Sequence, residues 1–79
     1  MKIKIIIGEK EEFIEISENK TVKDLLDIID IASETVVVKK NDFIVIDEEL
    51  LEEGDLIEII QVIYGGWFQV KLFIYYLLI

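Results

Sequence analysis

A chain of 79 residues supports one small domain, near the lower end of what a single hydrophobic core holds together without staples. It contains no cysteine and no histidine, which excludes disulfides, thiolate chemistry, the commonest zinc ligands and the commonest general base. A formal net charge of −9 disfavours nucleic-acid binding and favours a partner with a basic face.

Lys2 to Ile7 reads as a β-strand with Ile3, Ile5 and Ile7 on one face and Lys2, Lys4 and Ile6 on the other. Gly8 to Glu11 is a tight turn, and Phe13 to Ile16 returns as a second strand, so the chain opens with a hairpin. Thr21 is a helix N-cap with Asp24 three residues on, a short form of the capping box. Val22, Leu25, Leu26 and Ile29 follow at the spacing of a single apolar stripe, and the helix is expected to end near Asp30.

Thr35 to Lys40 is a third strand, Asn41-Asp42 a turn, and Phe43 to Ile46 a short fourth strand. Asp47 to Glu53 is predicted to form a single helical turn anchored by Leu50 and Leu51. Gly54-Asp55 punctuates the chain before a last apolar strand, Leu56 to Ile63. The order β-β-α-β-β-β predicts an α+β fold, one helix on one mixed sheet of about five strands. The right-handed crossover rule puts the last strand parallel to the first, in the middle of the sheet. That arrangement is the β-grasp.

Several segments carry a family resemblance in their order and spacing. They are Gly8-Glu9 in the first turn, Thr21-Val22-Lys23-Asp24-Leu25-Leu26 opening the helix, and Val36-Val37-Val38-Lys39-Lys40-Asn41 in the third strand. Glu52-Glu53-Gly54-Asp55-Leu56-Ile57-Glu58-Ile59 follows, and Gly65-Gly66 closes the series. With these pieces residues 1–66 resemble the ubiquitin-like sulfur carriers, the ThiS/MoaD family. The first turn has Ile7-Gly8 where Asn-Gly is common in that family, and Ile46-Asp47 stands where Pro-Arg is frequent. The largest departure is the extension 67–79, because mature carriers stop at the second glycine.

The resemblance implies a protein that is not itself an enzyme and binds no cofactor of its own. A partner adenylyltransferase of the ubiquitin-activating type uses ATP to adenylate the terminal glycine, and sulfur transfer then makes a thiocarboxylate. A sulfurtransferase or a thiazole synthase-like acceptor is the other partner implied. On that reading Gly66 is the acyl site and Gly65 the spacer that fits the partner's channel, since a Cβ would hinder the cord. Thiamine thiazole biosynthesis is the first expectation, with molybdopterin synthesis or tRNA thiolation next. The competing class is a non-catalytic ubiquitin-like interaction module, with Gly65-Gly66 as a hinge and the tail as a binding or dimerisation strand.

Alternation along the last strand turns Ile57 and Ile59 toward the helix and Ile60 and Val62 away from it. Ile60 and Val62, with Phe43 or Val45, would form an apolar docking patch near the tail; the alternative is ordinary surface isoleucine. The acidic run from Asp47 to Glu53 lacks the ligand spacing and central glycine of a calcium loop and reads as a solvated face, so no metal site is expected. The extension holds only Gln69 and Lys71 as polar side chains, yet it is shorter than the roughly 20 residues of a membrane-crossing helix. Three origins fit it. It is a propeptide removed by a protease at the Gly66-Trp67 junction, the product of a lost stop codon, or a sixth strand that pairs with a sheet edge or makes a homodimer. The N-terminus runs directly into a strand pattern rather than a signal peptide, so a cytoplasmic protein is expected.

Overall fold

Two-residue turns set the register of both hairpins. β1 (Lys2–Ile7) and β2 (Lys10–Glu15) pair antiparallel with Ile7 opposite Lys10, leaving Gly8-Glu9 as the loop. Gly8 takes φ 61° while Glu9 keeps a negative φ, the pattern of a II′ turn, which asks for glycine at its first central position. β3 (Val36–Lys40) and β4 (Phe43–Val45) pair with Lys40 opposite Phe43. Their loop residues Asn41 and Asp42 have φ 50° and 75°, the double left-handed step of a I′ turn. The computed structural model describes residues 1–61.

Between the hairpins lies α1 (Val22–Ile28), capped by Thr21. The Thr21 hydroxyl accepts from the Asp24 backbone N–H at 3.2 Å, and the Thr21 N–H donates to the Asp24 carboxylate at 2.9 Å. The box holds Asp24 below its ordinary value, chiefly through the backbone hydrogen bond from Thr21 and then the Thr21 hydroxyl. The helix stops at Ile29, and Asp30 turns into the left-handed region at φ 60°. A 3-10 turn over Ser33–Thr35 leads into β3, so Thr35 precedes the strand rather than opening it.

β5 (Leu56–Gln61) completes a five-stranded sheet in the order β2-β1-β5-β3-β4. It runs parallel to β1 and antiparallel to β3, in the centre of the sheet as the crossover rule predicts. This is the ubiquitin-like β-grasp. Ile3, Ile5, Val36, Val38, Ile57 and Ile59 project from one sheet face onto Val22, Leu25 and Leu26 of the helix, all nearly inaccessible to water. Apolar burial of this kind is the main stabilising contribution in so small a domain.

Residues 47–53 depart from the expected helical turn. They form a turn at Asp47-Glu48, closed by the Glu49 N–H on the Ile46 carbonyl, followed by a stretch with a β-bridge between Leu50 and Thr21. The reason lies in the helix they cross. Carbonyls of Asp47 and Glu49 accept from the N–H groups of Lys23 and Val22, which no helical turn of their own would satisfy. Leu51 enters the core at 4 % exposure, but Leu50, expected to anchor the segment beside it, is 56 % exposed. An extended backbone points the two neighbours in opposite directions.

Candidate functional site

The sheet face away from the helix is assembled from alternate strand residues. β1 contributes Lys2, Lys4 and Ile6, β2 contributes Glu11, Phe13 and Glu15, and β5 contributes Leu56, Glu58 and Ile60. Val37 and Lys39 of β3 and Ile44 of β4 complete it. Ile57 and Ile59 face the helix and Ile60 faces away, as alternation predicts, with Ile60 45 % exposed.

The two halves of this face differ. Toward the β2 edge, the ammonium groups of Lys2 and Lys4 lie 4.9 and 5.7 Å from the centre of the Phe13 ring, and Lys4 also pairs with Glu11 at 2.7 Å. That half is polar and cationic over an aromatic floor. In the middle, Glu58 of β5 stands directly opposite Lys39 of β3, an opposite-charge cross-strand pair. Ile6 of β1 pairs with Glu58 and Ile44 of β4 with Lys39, so these two flank the charged pair, while Ile60 stands opposite Val37 one step further along β5. The apolar row of Ile60 and Val37 therefore lies at the last described residues of β5.

Phe43 is not part of that row. Its partner is Lys40, whose neighbours Val36 and Val38 point into the core, so Phe43 projects on the helix side of the sheet, 74 % exposed. Val45 lies opposite Val38 and packs against the core. The residue of β4 that shares a face with Ile60 is Ile44. The two-residue I′ turn decides this, because it fixes which residues oppose one another and a one-residue slip exchanges the faces. Val62, Gly65, Gly66 and Trp67 lie outside the described residues.

A second cluster was not anticipated. Lys40 points inward at the rim of the core with its side chain only 10 % exposed. Its ammonium donates to Glu49 at 3.2 Å, Glu52 at 3.1 Å and the Leu50 carbonyl at 2.8 Å, and lies 3.6 Å from Asp55. Burial is the largest single influence and works to lower its pKa, yet the hydrogen bonds to Glu52 and Glu49 and the charge of Asp55 together outweigh it, leaving Lys40 above its ordinary value. Asp55, 5 % exposed, also accepts from the Glu52 backbone at 2.7 Å and from Asn41 Nδ2 at 3.0 Å. No buried side-chain polar atom among the described residues lacks a partner. Two acids of the 47–53 run thus serve as partners to one lysine while keeping their outer sides in water. The alternation Val36, Val38, Lys40 was the available signal, since it already places Lys40 inward.

The Lys40 cluster fastens the loop to β3 and fixes the start of β5.

Solved structures share this architecture. ThiS from Geobacter metallireducens superposes with a TM-score of 0.58 at 24 % identity, covering 80 % of this chain and 99 % of that one. A chain in the complex of subunits 1 and 2 of the molybdopterin-converting factor from Helicobacter pylori gives 0.61 at 19 % identity, covering 84 % and 100 %. Ubiquitin from Caldiarchaeum subterraneum gives 0.62 at 23 % identity, covering 84 % and 98 %. At these identities the likeness is one of fold. The family model named ThiS matches residues 2–66, a stretch that ends on the second glycine. The chain belongs to the ThiS family.

Proposed function

We propose that this protein is a sulfur carrier whose acyl site is the carboxyl group of Gly66. The observation that carries the reading is the family match, which runs through the whole β-grasp and stops at residue 66. Gly66 lies five residues beyond Gln61, the last described residue of β5, so residues 62–66 form the cord. Fully extended they reach roughly 17 Å, long enough to enter a neighbouring enzyme's active site while the domain stays docked outside it. Gly65 serves as the spacer that lets the cord pass.

The chemistry belongs to the partners. An adenylyltransferase joins the Gly66 carboxylate to the α-phosphate of ATP with release of pyrophosphate. A sulfur donor then displaces AMP to leave a thiocarboxylate, and an acceptor enzyme consumes it. Thiamine thiazole formation is the preferred destination, ahead of molybdopterin synthesis and tRNA thiolation, and the cytoplasm is the expected place. The patch of Ile60 and Ile44, to which alternation assigns Val62, is the proposed docking face.

Gly66 is joined to Trp67, so the carboxylate forms only after cleavage of that bond. A protease acting at the Gly66-Trp67 junction would generate it. The test is intact mass after incubation with the host adenylyltransferase, ATP and a sulfur source. The chain ending at Gly66 gains the mass of one oxygen-for-sulfur exchange, and the same chain with Gly66→Ala reacts far more slowly. Equal reaction of the 79-residue chain at its own terminus would overturn the assignment of Gly66.

A further inference from the structure

We propose that the edge of β2 is a docking site for an extended, basic segment of a partner protein, which adds to the sheet as a further strand beside β2. The inference goes beyond the sulfur-carrier reading, since it uses neither Gly66 nor the row of Ile60 and Val37.

Backbone parity leaves this edge open. Met1 and Ile16 exchange two bonds: the Ile16 N–H donates to the Met1 carbonyl at 2.8 Å, and the Met1 amino group donates to the Ile16 carbonyl at 2.6 Å. Bonded and unbonded pairs alternate along an antiparallel ladder, so Ile14, Glu12 and Lys10 turn their N–H and C=O groups toward β1. Those of Glu11, Phe13 and Glu15 point away from it, and among the described residues no strand lies beyond β2. The opposite edge offers less. β4 has three residues, and its two-residue turn bonds Phe43 to Lys40 and Val45 to Val38, so only Ile44 turns its groups outward.

Side chains choose the occupant. Residues 9–18 hold five carboxylates against Lys10 alone. Lys4 engages Glu11 at 2.7 Å and the Met1 amino group lies 3.8 Å from Glu15, yet these two glutamate side chains stay 57 and 76 % exposed and open to a second cation. Between them Phe13 is 63 % exposed, an apolar step on an acidic edge. Charge on an edge strand deters indiscriminate pairing, and its mostly negative sign here admits basic strands.

A second copy fits poorly. Antiparallel pairing of two β2 edges centred on Phe13 sets Glu11 against Glu15 twice, and a shift toward the turn sets Glu12 against Glu12. A shift the other way overlaps only residues 13–15. A partner strand with Lys or Arg opposite Glu11, Glu12 and Glu15, and apolar residues opposite Phe13 and Ile14, meets each position. Backbone bonds supply its affinity and these side chains its selectivity.

The test uses the isotope-labelled 79-residue protein and the end-capped peptide Lys-Val-Leu-Lys-Lys-Glu, which runs antiparallel from opposite Glu15 to opposite Lys10. Amide hydrogen exchange at Glu11, Phe13 and Glu15 should slow on binding, while Glu12 and Ile14, already bonded to β1, change little. Glu12→Lys with Glu15→Lys should weaken binding by about tenfold, as two cross-strand attractions become repulsions, with circular dichroism unchanged. Glu11→Pro removes an outward N–H and leaves the ladder to β1 whole, and should weaken binding as well. Protection absent at millimolar peptide, or confined to other residues, overturns the proposal. So does equal binding of Leu-Lys-Glu-Lys-Val-Lys, which would mean attraction by charge alone. Protection of the three amides before peptide is added also overturns it: if lost on dilution, the edge belongs to a second copy, and if retained, to the chain itself.

Discussion

Asn41 and Leu56 bond to each other twice: the Asn41 N–H donates to the Leu56 carbonyl at 2.9 Å, and the Leu56 N–H donates to Asn41 Oδ1 at 2.9 Å. The β3–β5 ladder ends at Lys40 opposite Ile57, so a side-chain oxygen carries it one step into the turn. Asn41 therefore has three tasks. It adopts φ 50°, extends the ladder, and donates Nδ2 to the buried carboxylate of Asp55.

Those tasks separate under substitution. Asn41→Gly keeps the left-handed backbone and loses the side-chain bonds, whereas Asn41→Ala loses both. Each should destabilise, with alanine the worse by about 1 kcal/mol, the typical cost of placing a Cβ in the left-handed region. Urea unfolding midpoints at constant slope read the difference, and a glycine variant no better than alanine would show that the turn tolerates a Cβ.

Lys40 is the more severe test. Replacing it with Met fills similar space but leaves Asp55 buried beside Glu49 and Glu52 without their cation. Removing one partner of a buried pair costs roughly 3–5 kcal/mol, and partial exposure of Glu49 and Glu52 places this case near the lower figure. A companion Asp55→Asn should recover part of the loss, because it removes the most buried unpaired charge. Failure of the second substitution to recover anything would show that the three acids do not act through Lys40. The pH dependence has a definite sign. The folded pKa of Lys40 is raised, so its contribution is complete below the ordinary lysine value of 10.5 and fades as pH climbs through the higher folded value. The stability difference between the native protein and Lys40→Met should therefore narrow only in that alkaline window.

Much of this was legible before any coordinates, and for local reasons. The capping box of Thr21 and Asp24 and the facing of Ile57 and Ile59 follow from chemistry within a few residues. The central parallel strand follows from a handedness rule. Residues 47–53 misled because a short acidic run with paired leucines fits a helical turn equally well. What decides against it is distant: the N–H groups of Val22 and Lys23 need acceptors, and Lys40 gathers Glu49, Leu50 and Glu52. The misplacement of Phe43 has a different cause. The Asn41-Asp42 turn lies where the sequence puts it and pairs Phe43 with Lys40, so Phe43 shares the inward face of Val36, Val38 and Lys40; its expected outward placement did not carry the alternation of β3 across that turn.

At the helix start, Thr21→Ala removes the hydroxyl that accepts from Asp24 and should cost about 1 kcal/mol. Asp24 is lowered from 3.8, so its contribution is present above that value and lost as pH falls through the lower folded value. Acid unfolding of Asp24→Asn should consequently show a shallower approach to the transition than the native protein. Identical acid profiles would mean that the box does not form in solution.

The proposed docking face includes Ile44 and excludes its sequence neighbour Phe43. In the chain ending at Gly66, Ile44→Glu and Ile60→Glu replace apolar side chains of the outer sheet face with charge and should raise the KM for the carrier in the adenylyltransferase reaction. By the usual cost of putting an unpaired charge into an apolar contact, the increase should be tenfold or more, about 1.4 kcal/mol or above. Phe43→Glu carries the same charge on the helix side of the sheet, only one residue away, and should leave that KM unchanged. All three side chains retain solvent access, so thermal unfolding should distinguish them little. If Phe43→Glu proves the most damaging of the three, the partner approaches from the helix side and the outer face is free for another use.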